Sequence, residues 1–139
     1  MKRMVISLAV AATAVMPVAA PAQAATTRDL YMVKDVQQLD GGIYVGDFVS
    51  LRKTGKRVVG TVGAFSSEYV CVRGKVTDGK LRGTYYDRGM VSGHFTRTWV
   101  GHGKRQHIKG MTPVSWAQAR TYLGSNPTRF IDDCVGETS

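Results

Sequence analysis

Residues 75–87, KVTDGKLRGTYYD, decide the fold. At their centre stands Asp78-Gly79, a dipeptide that tolerates the positive φ both turn positions of a two-residue hairpin require. Folding the chain there sets Val76 against Leu81, Gly74 against Gly83 and Val72 against Tyr85. The other phase sets Lys75 against Arg82 and Arg73 against Thr84. One face of the ribbon is apolar or small, the other basic and polar. A slip of one residue would exchange the two faces, so the register is strongly specified. Lys75 opposite Arg82 is mildly repulsive. The basic phase therefore reads chiefly as the wet outer side of a sheet.

A second hairpin precedes it. Residues 43–53 and 57–65 flank Thr54-Gly55. The same folding predicts Leu51 against Val58, Val49 against Gly60 and Val45 against Ala64. Asp47 then falls on the apolar phase opposite Val62, where a lone buried carboxylate is costly. A bulge at Gly46, or a place at an open end of the sheet, resolves that conflict. Beyond Asp87, residues 93–100 read as a strand carrying Phe95 and Trp99, and residues 106–110 as a shorter one. The link GHGKRQH, residues 101–107, reads as an exposed basic loop.

The period changes near the C-terminus. In TPVSWAQARTYLG, residues 112–124, Trp116, Ala119 and Leu123 share one helical face. Pro113 suits a first turn, or Ser115 with Gln118 forms a capping box, and Gly124 ends the helix. The expected fold is mainly β. It is an antiparallel meander curling into a small barrel or half-barrel, with one short helix near residues 113–123 packed outside. Inner glycines and short hairpins favour strong curvature.

The chain opens as an export signal. Lys2 and Arg3 precede a run over residues 4–15 that is apolar apart from Ser7 and Thr13. Pro17 breaks the run, and Ala22-Gln23-Ala24 offers a small-x-small cleavage site. Residues 1–24 are accordingly read as a signal peptide cut after Ala24, 25–42 as an N-terminal extension and 43–139 as one β domain. The run is too short for a retained span of about 20 residues, so the mature chain is expected to be secreted or periplasmic. Removing Lys2 and Arg3 lowers the formal charge from +9 to +7.

Cys71 and Cys134 are the two cysteines. In an exported domain of this size they read as one disulfide. Neither has a second ligand at metal spacing. Cys71 shares the outer phase with Arg73 and Lys75, so the C-terminal segment is expected to wrap outside the sheet and be stapled there.

Little catalytic chemistry is legible. There is no G-x-S-x-G elbow, and GHGKR lacks phosphate-loop spacing. Asp132-Asp133 reads as an extended polar tail whose carboxylates diverge. His94, His102 and His107 fit no zinc pattern. His94 and His102 with Arg97, with Glu68 as an acid partner, are the weak catalytic candidates. No cofactor and no metal is expected.

The functional signal is charge. Arg52, Lys53, Lys56 and Arg57 crowd one hairpin tip, and Lys104, Arg105 and Lys109 crowd another. A positive rim at one end of the sheet attracts polyanions. The leading expectation is an exported, non-enzymatic binding domain that contacts an anionic envelope polymer, lipid headgroups or an acidic protein through these tips. Nucleic acid is disfavoured because few aromatics flank them. An inhibitor of a secreted hydrolase is the alternative, and a small secreted hydrolase or nuclease the third reading.

Overall fold

The structure, a computed structural model, describes residues 11–14 and 25–137. The cleavage site and most of the leader lie outside the described residues. Eight antiparallel strands follow in chain order: β1 Thr27–Gln38, β2 Tyr44–Thr54, β3 Arg57–Ala64, β4 Tyr69–Thr77, β5 Lys80–Asp87, β6 Met90–Val100, β7 His107–Ile108 and β8 Thr112–Val114. Two helices follow them among the described residues, α1 Trp116–Leu123 and α2 Thr128–Glu137. The link from β6 to β7 contains a single 3-10 turn over Gly103–Arg105.

The sheet order is β7-β6-β5-β4-β3-β2-β1-β8. Its two outermost strands, β7 and β8, are consecutive in the chain and separated by residues 109–111 alone. Four Cα steps reach at most about 14 Å, so the two edges of the sheet must lie side by side. The Ile108 N–H stands 3.4 Å from Met32 Sδ of β1. The meander is therefore nearly closed into a barrel. β7 pairs only with Trp99 and Val100 of β6, which leaves a seam along the earlier part of that strand.

Seven strands send alternate side chains inward. Leu30 and Met32, Val49 and Leu51, Val58, Val72, Leu81, Trp99 and Ile108 form one buried cluster. Glycine makes the curvature possible. A Cβ on Gly60 would strike the Ser50 carbonyl of the next strand, and one on Gly83 would enter the ring of Phe95.

The β4–β5 hairpin has the expected register, with Val76↔Leu81, Gly74↔Gly83, Val72↔Tyr85 and Lys75↔Arg82. Asp78 and Gly79 both take positive φ, at 54° and 69°. The β2–β3 register differs from expectation by two residues. Leu51 faces Gly60, Val49 faces Val62 and Asp47 faces Ala64. The turn centres on Gly55-Lys56, with Gly55 at φ 60°, because a type II′ turn wants glycine first. A two-residue offset leaves every side chain on its expected face. The bulge is not on Gly46's own strand but opposite it, between Lys34 and Gln37 of β1. There Asp35 has φ 55°, and a Cβ on Gly46 would press on the Lys34 and Asp35 carbonyls. Asp47 is exposed at the seam, so its carboxylate stays hydrated.

Residues 27–38, read from sequence as part of an extension, form the longest strand and pair on both sides. Leu30 to Val33 are buried on both faces, inward in the barrel and outward beneath the helices. The helix over Trp116–Leu123 starts at Ser115, whose hydroxyl and the Gln118 side chain form the reciprocal capping box. Pro113 lies instead on the edge strand β8, where a missing N–H is harmless. Ala119 is buried, but Trp116 at the start of the same helix is 46% exposed and carries the Arg120 guanidinium 5.0 Å above its ring.

α2 corrects the reading of a polar tail. Asn126-Pro127 opens it, with the Arg129 N–H donating to the Asn126 carbonyl, as suits proline in a first turn. Phe130, Ile131 and Cys134 then face the sheet at helical spacing. Ile131 and Cys134 are fully buried, and Phe130 meets Phe48 and Tyr69 edge-on at 5.5 and 5.4 Å. Cys71 and Cys134 form a disulfide with Cα atoms 5.3 Å apart. It fixes α2 against the outer face of β3 and β4, where Thr61 Oγ1 donates to the Phe130 carbonyl.

Tyr31 is sealed in this outer core beside Ala119 and Ile131. Its hydroxyl is 3.2 Å from Thr128 Oγ1. Burial pushes its phenol above the ordinary value of 10.0, and the Thr128 hydrogen bond offsets part of that. The fold thus prefers the protonated phenol. Its contribution is complete below about pH 10 and is lost as pH rises through the folded value. Tyr31→Phe is expected to lose less stability than the native chain between about pH 9 and pH 11. Urea midpoints at both values check this; an equal fall in the two chains would remove Tyr31 from the alkaline response.

Candidate functional site

The outer surface of the barrel divides in two. Over β1, β2 and parts of β3 and β4 it is covered by the helices; over the rest of β3 to β6 it is open. Register alone lines up the open side chains. Arg57 faces Lys75, Lys75 faces Arg82 and Arg82 faces Thr96. One step along, Val59 faces Arg73, Arg73 faces Thr84 and Thr84 faces His94. Both rows are on the phase opposite Val72, Leu81 and Trp99, so they point out of the barrel.

These rows line an open trough of about 1030 Å³. Arg52, Arg57, Arg73, Lys75 and Arg82 border it, with His94 at the far side and Val135 of α2 at the near side. Among the described residues that line it there is no carboxylate. The face that sequence assigned to bulk water thus holds a trough whose charged side chains are all cationic, set among Val59, Tyr86 and Val135. Facing side chains on adjacent strands have Cβ atoms about 5 Å apart. Arg57, Lys75 and Arg82 form a column of like charge across three strands, and all three are exposed. In water such pairs repel by less than about 1 kcal/mol each, a cost the fold bears and an anion would reverse.

Arg52 plays a different part. Its Nε and Nη2 donate to the two Asp29 carboxylate oxygens at 2.9 and 3.1 Å, and Nη1 donates to Asp132 Oδ1 at 3.0 Å. The Asp29 hydrogen bonds, chiefly, raise its pKa against the opposing effect of burial. One guanidinium therefore ties β1, β2 and α2 together at the edge of the trough. Asp132 and Asp133 are on a helix, and the first of them has this structural role.

The remaining sequence candidates separate. In the meander the β2–β3, β4–β5 and β6–β7 connections share one end of the barrel. Lys56, Lys104 and Arg105 therefore do stand at the same end, which the trough reaches at Thr54, Arg57 and Thr77. Lys53 is half-buried on the inward phase opposite Val58. Lys109 follows β7 and borders the seam instead.

The histidines are dispersed. His94 is on the outer face with Nδ1 3.0 Å from Thr84 Oγ1, whereas Arg97 is on the opposite phase. His102 is in the β6–β7 link, and Glu68 in the β3–β4 link at the other end. His107 Nδ1 is 2.6 Å from the Arg105 carbonyl. Among the described residues no cluster of three His, Cys, Asp or Glu side chains is placed to hold a metal. None of their helices is long and apolar enough to cross a membrane.

Sequence reasoning missed Arg73, Lys75 and Arg82 as site residues. The hairpin showed the Lys75–Arg82 contact, but the β3–β4 register that adds Arg57 carries no local signal. No protein family, no curated protein and no solved structure matches this chain.

Proposed function

We propose that this chain is an exported, non-catalytic binding protein whose trough receives a linear polyanion such as a phosphate-rich envelope polymer. The column of Arg57, Lys75 and Arg82 on three successive strands carries the reading. Strands are spaced by about 4.8 Å, so cations recur at that interval across the sheet and suit a chain of charges lying perpendicular to the strands. A concave floor favours a polymer strand over a flat lipid surface. Lys56, Lys104 and Arg105 at the hairpin-tip end extend the same positive field and would speed capture. The Cys71–Cys134 disulfide is compatible with a place outside the cytoplasm, and the leader over residues 1–24 is the proposed route there.

Fluorescence anisotropy with end-labelled long-chain polyphosphate, over a range of sodium chloride concentrations, tests the reading. Three displaced counterions predict a slope of log affinity against log salt of about −2 or steeper. Affinity indifferent to salt would remove the proposal.

A further inference from the structure

The barrel has a second concavity, on its inner side. Because β7 covers only the end of β6, the seam between β6 and β1 opens into a cavity of about 330 Å³. Its walls are apolar: Val49, Val62, Tyr85, Phe95, Ile108 and Met111. Tyr85 and Phe95 pack with ring centroids 4.6 Å apart. Phe95 is seated over Gly83, where no side chain competes for the space. The rim is charged, with Lys34, Arg97 and Lys109 against the single carboxylate of Asp47. Lys34 faces Asp47 in register, which leaves the Arg97 and Lys109 side of the mouth in cationic excess.

An apolar cavity of about 150 Å³ admits benzene, so this one has room for about a dozen carbon atoms. A hydrocarbon body with one anionic head satisfies both parts: the body displaces water from the walls, and the head meets the cations at the mouth. We infer that the seam cavity binds a medium-chain amphiphile carrying a carboxylate. The cavity and the outer trough share only Phe95 among their lining residues, so the two sites are separable by substitution.

The test titrates decanoate and decyltrimethylammonium below their micelle concentrations, and decanol below its solubility limit, into the full mature chain by calorimetry. Decanoate is expected to bind with one-to-one saturation, at least tenfold more tightly than decyltrimethylammonium and more tightly than decanol. Val62→Phe, which fills the cavity, should weaken decanoate at least tenfold. Arg97→Glu with Lys109→Glu should erase the preference for the anion. The outer variant Arg57→Gln, Lys75→Gln, Arg82→Gln should leave decanoate affinity unchanged. On the native chain, NMR should place the decanoate-induced shifts at the Val49, Val62 and Ile108 methyls, a readout independent of whether any variant folds. Equal affinity for the cationic amphiphile, or shifts confined to the outer face, would overturn the inference.

Discussion

Replacing Arg57, Lys75 and Arg82 together by glutamine should weaken polyphosphate binding about 100-fold, or about 2.7 kcal/mol. Each side chain is exposed and positioned by strand pairing to reach an anion in the trough. A charge-assisted phosphate contact at such a site contributes about 1 kcal/mol after screening. The salt slope should become shallower by about 2, because those counterions are no longer released. Folding stability should stay within about 0.5 kcal/mol or rise slightly, since the substitution removes repulsion between facing cations. The comparison chain carries Lys56→Gln, Lys104→Gln and Arg105→Gln at the hairpin tips. It should lose only a few-fold, mainly in association rate, as expected of charges that steer rather than hold. A larger loss from the tips than from the face would reverse the assignment.

The second large effect belongs to the disulfide. Removing it as Cys71→Ala with Cys134→Ala should destabilise the chain by about 4 kcal/mol on the chain-entropy account, given the 63-residue separation of the two cysteines. That corresponds to a fall in Tm of roughly 15 °C for a domain of this size. α2 has ten residues, too few to persist as an isolated helix. Without the staple it holds the sheet through Ile131, Phe130 and the Arg52–Asp132 ion pair. Its release would uncover Phe48 and Cys71's surroundings on the outer face. Thermal unfolding with and without reductant measures the loss, and hydrophobic-dye binding reports the uncovered face. A change in Tm below about 5 °C would show that side-chain packing alone fixes α2.

How legible the fold was varied with how local each signal is. The Asp78-Gly79 hairpin could be read because turn chemistry and alternation agree at one place. At the preceding hairpin, alternation fixed the faces but not the register; Thr54-Gly55 and Gly55-Lys56 differ by a step that leaves the pattern unchanged. The first strand was hidden for a physical reason. Leu30, Tyr31, Met32 and Val33 are apolar in succession because both faces of that strand are covered, so period two disappears. α2 was hidden by its acidic pair, although Pro127 and the spacing of Phe130, Ile131 and Cys134 were there to find it. The trough was least legible. It arises where two hairpins are laid side by side, and the pairing of Arg57 with Lys75 depends on a connection with no turn signature. The seam cavity likewise follows from how short β7 is, which composition does not announce.

The most direct measurement is an NMR titration of the native chain with long-chain polyphosphate, following the arginine Nε–Hε resonances. If the trough holds the polymer, Arg57, Arg73 and Arg82 move together and saturate at one common affinity, while Arg105 at the loop shifts little. Movement of Arg105 with Arg57, Arg73 and Arg82 still would contradict binding in the trough.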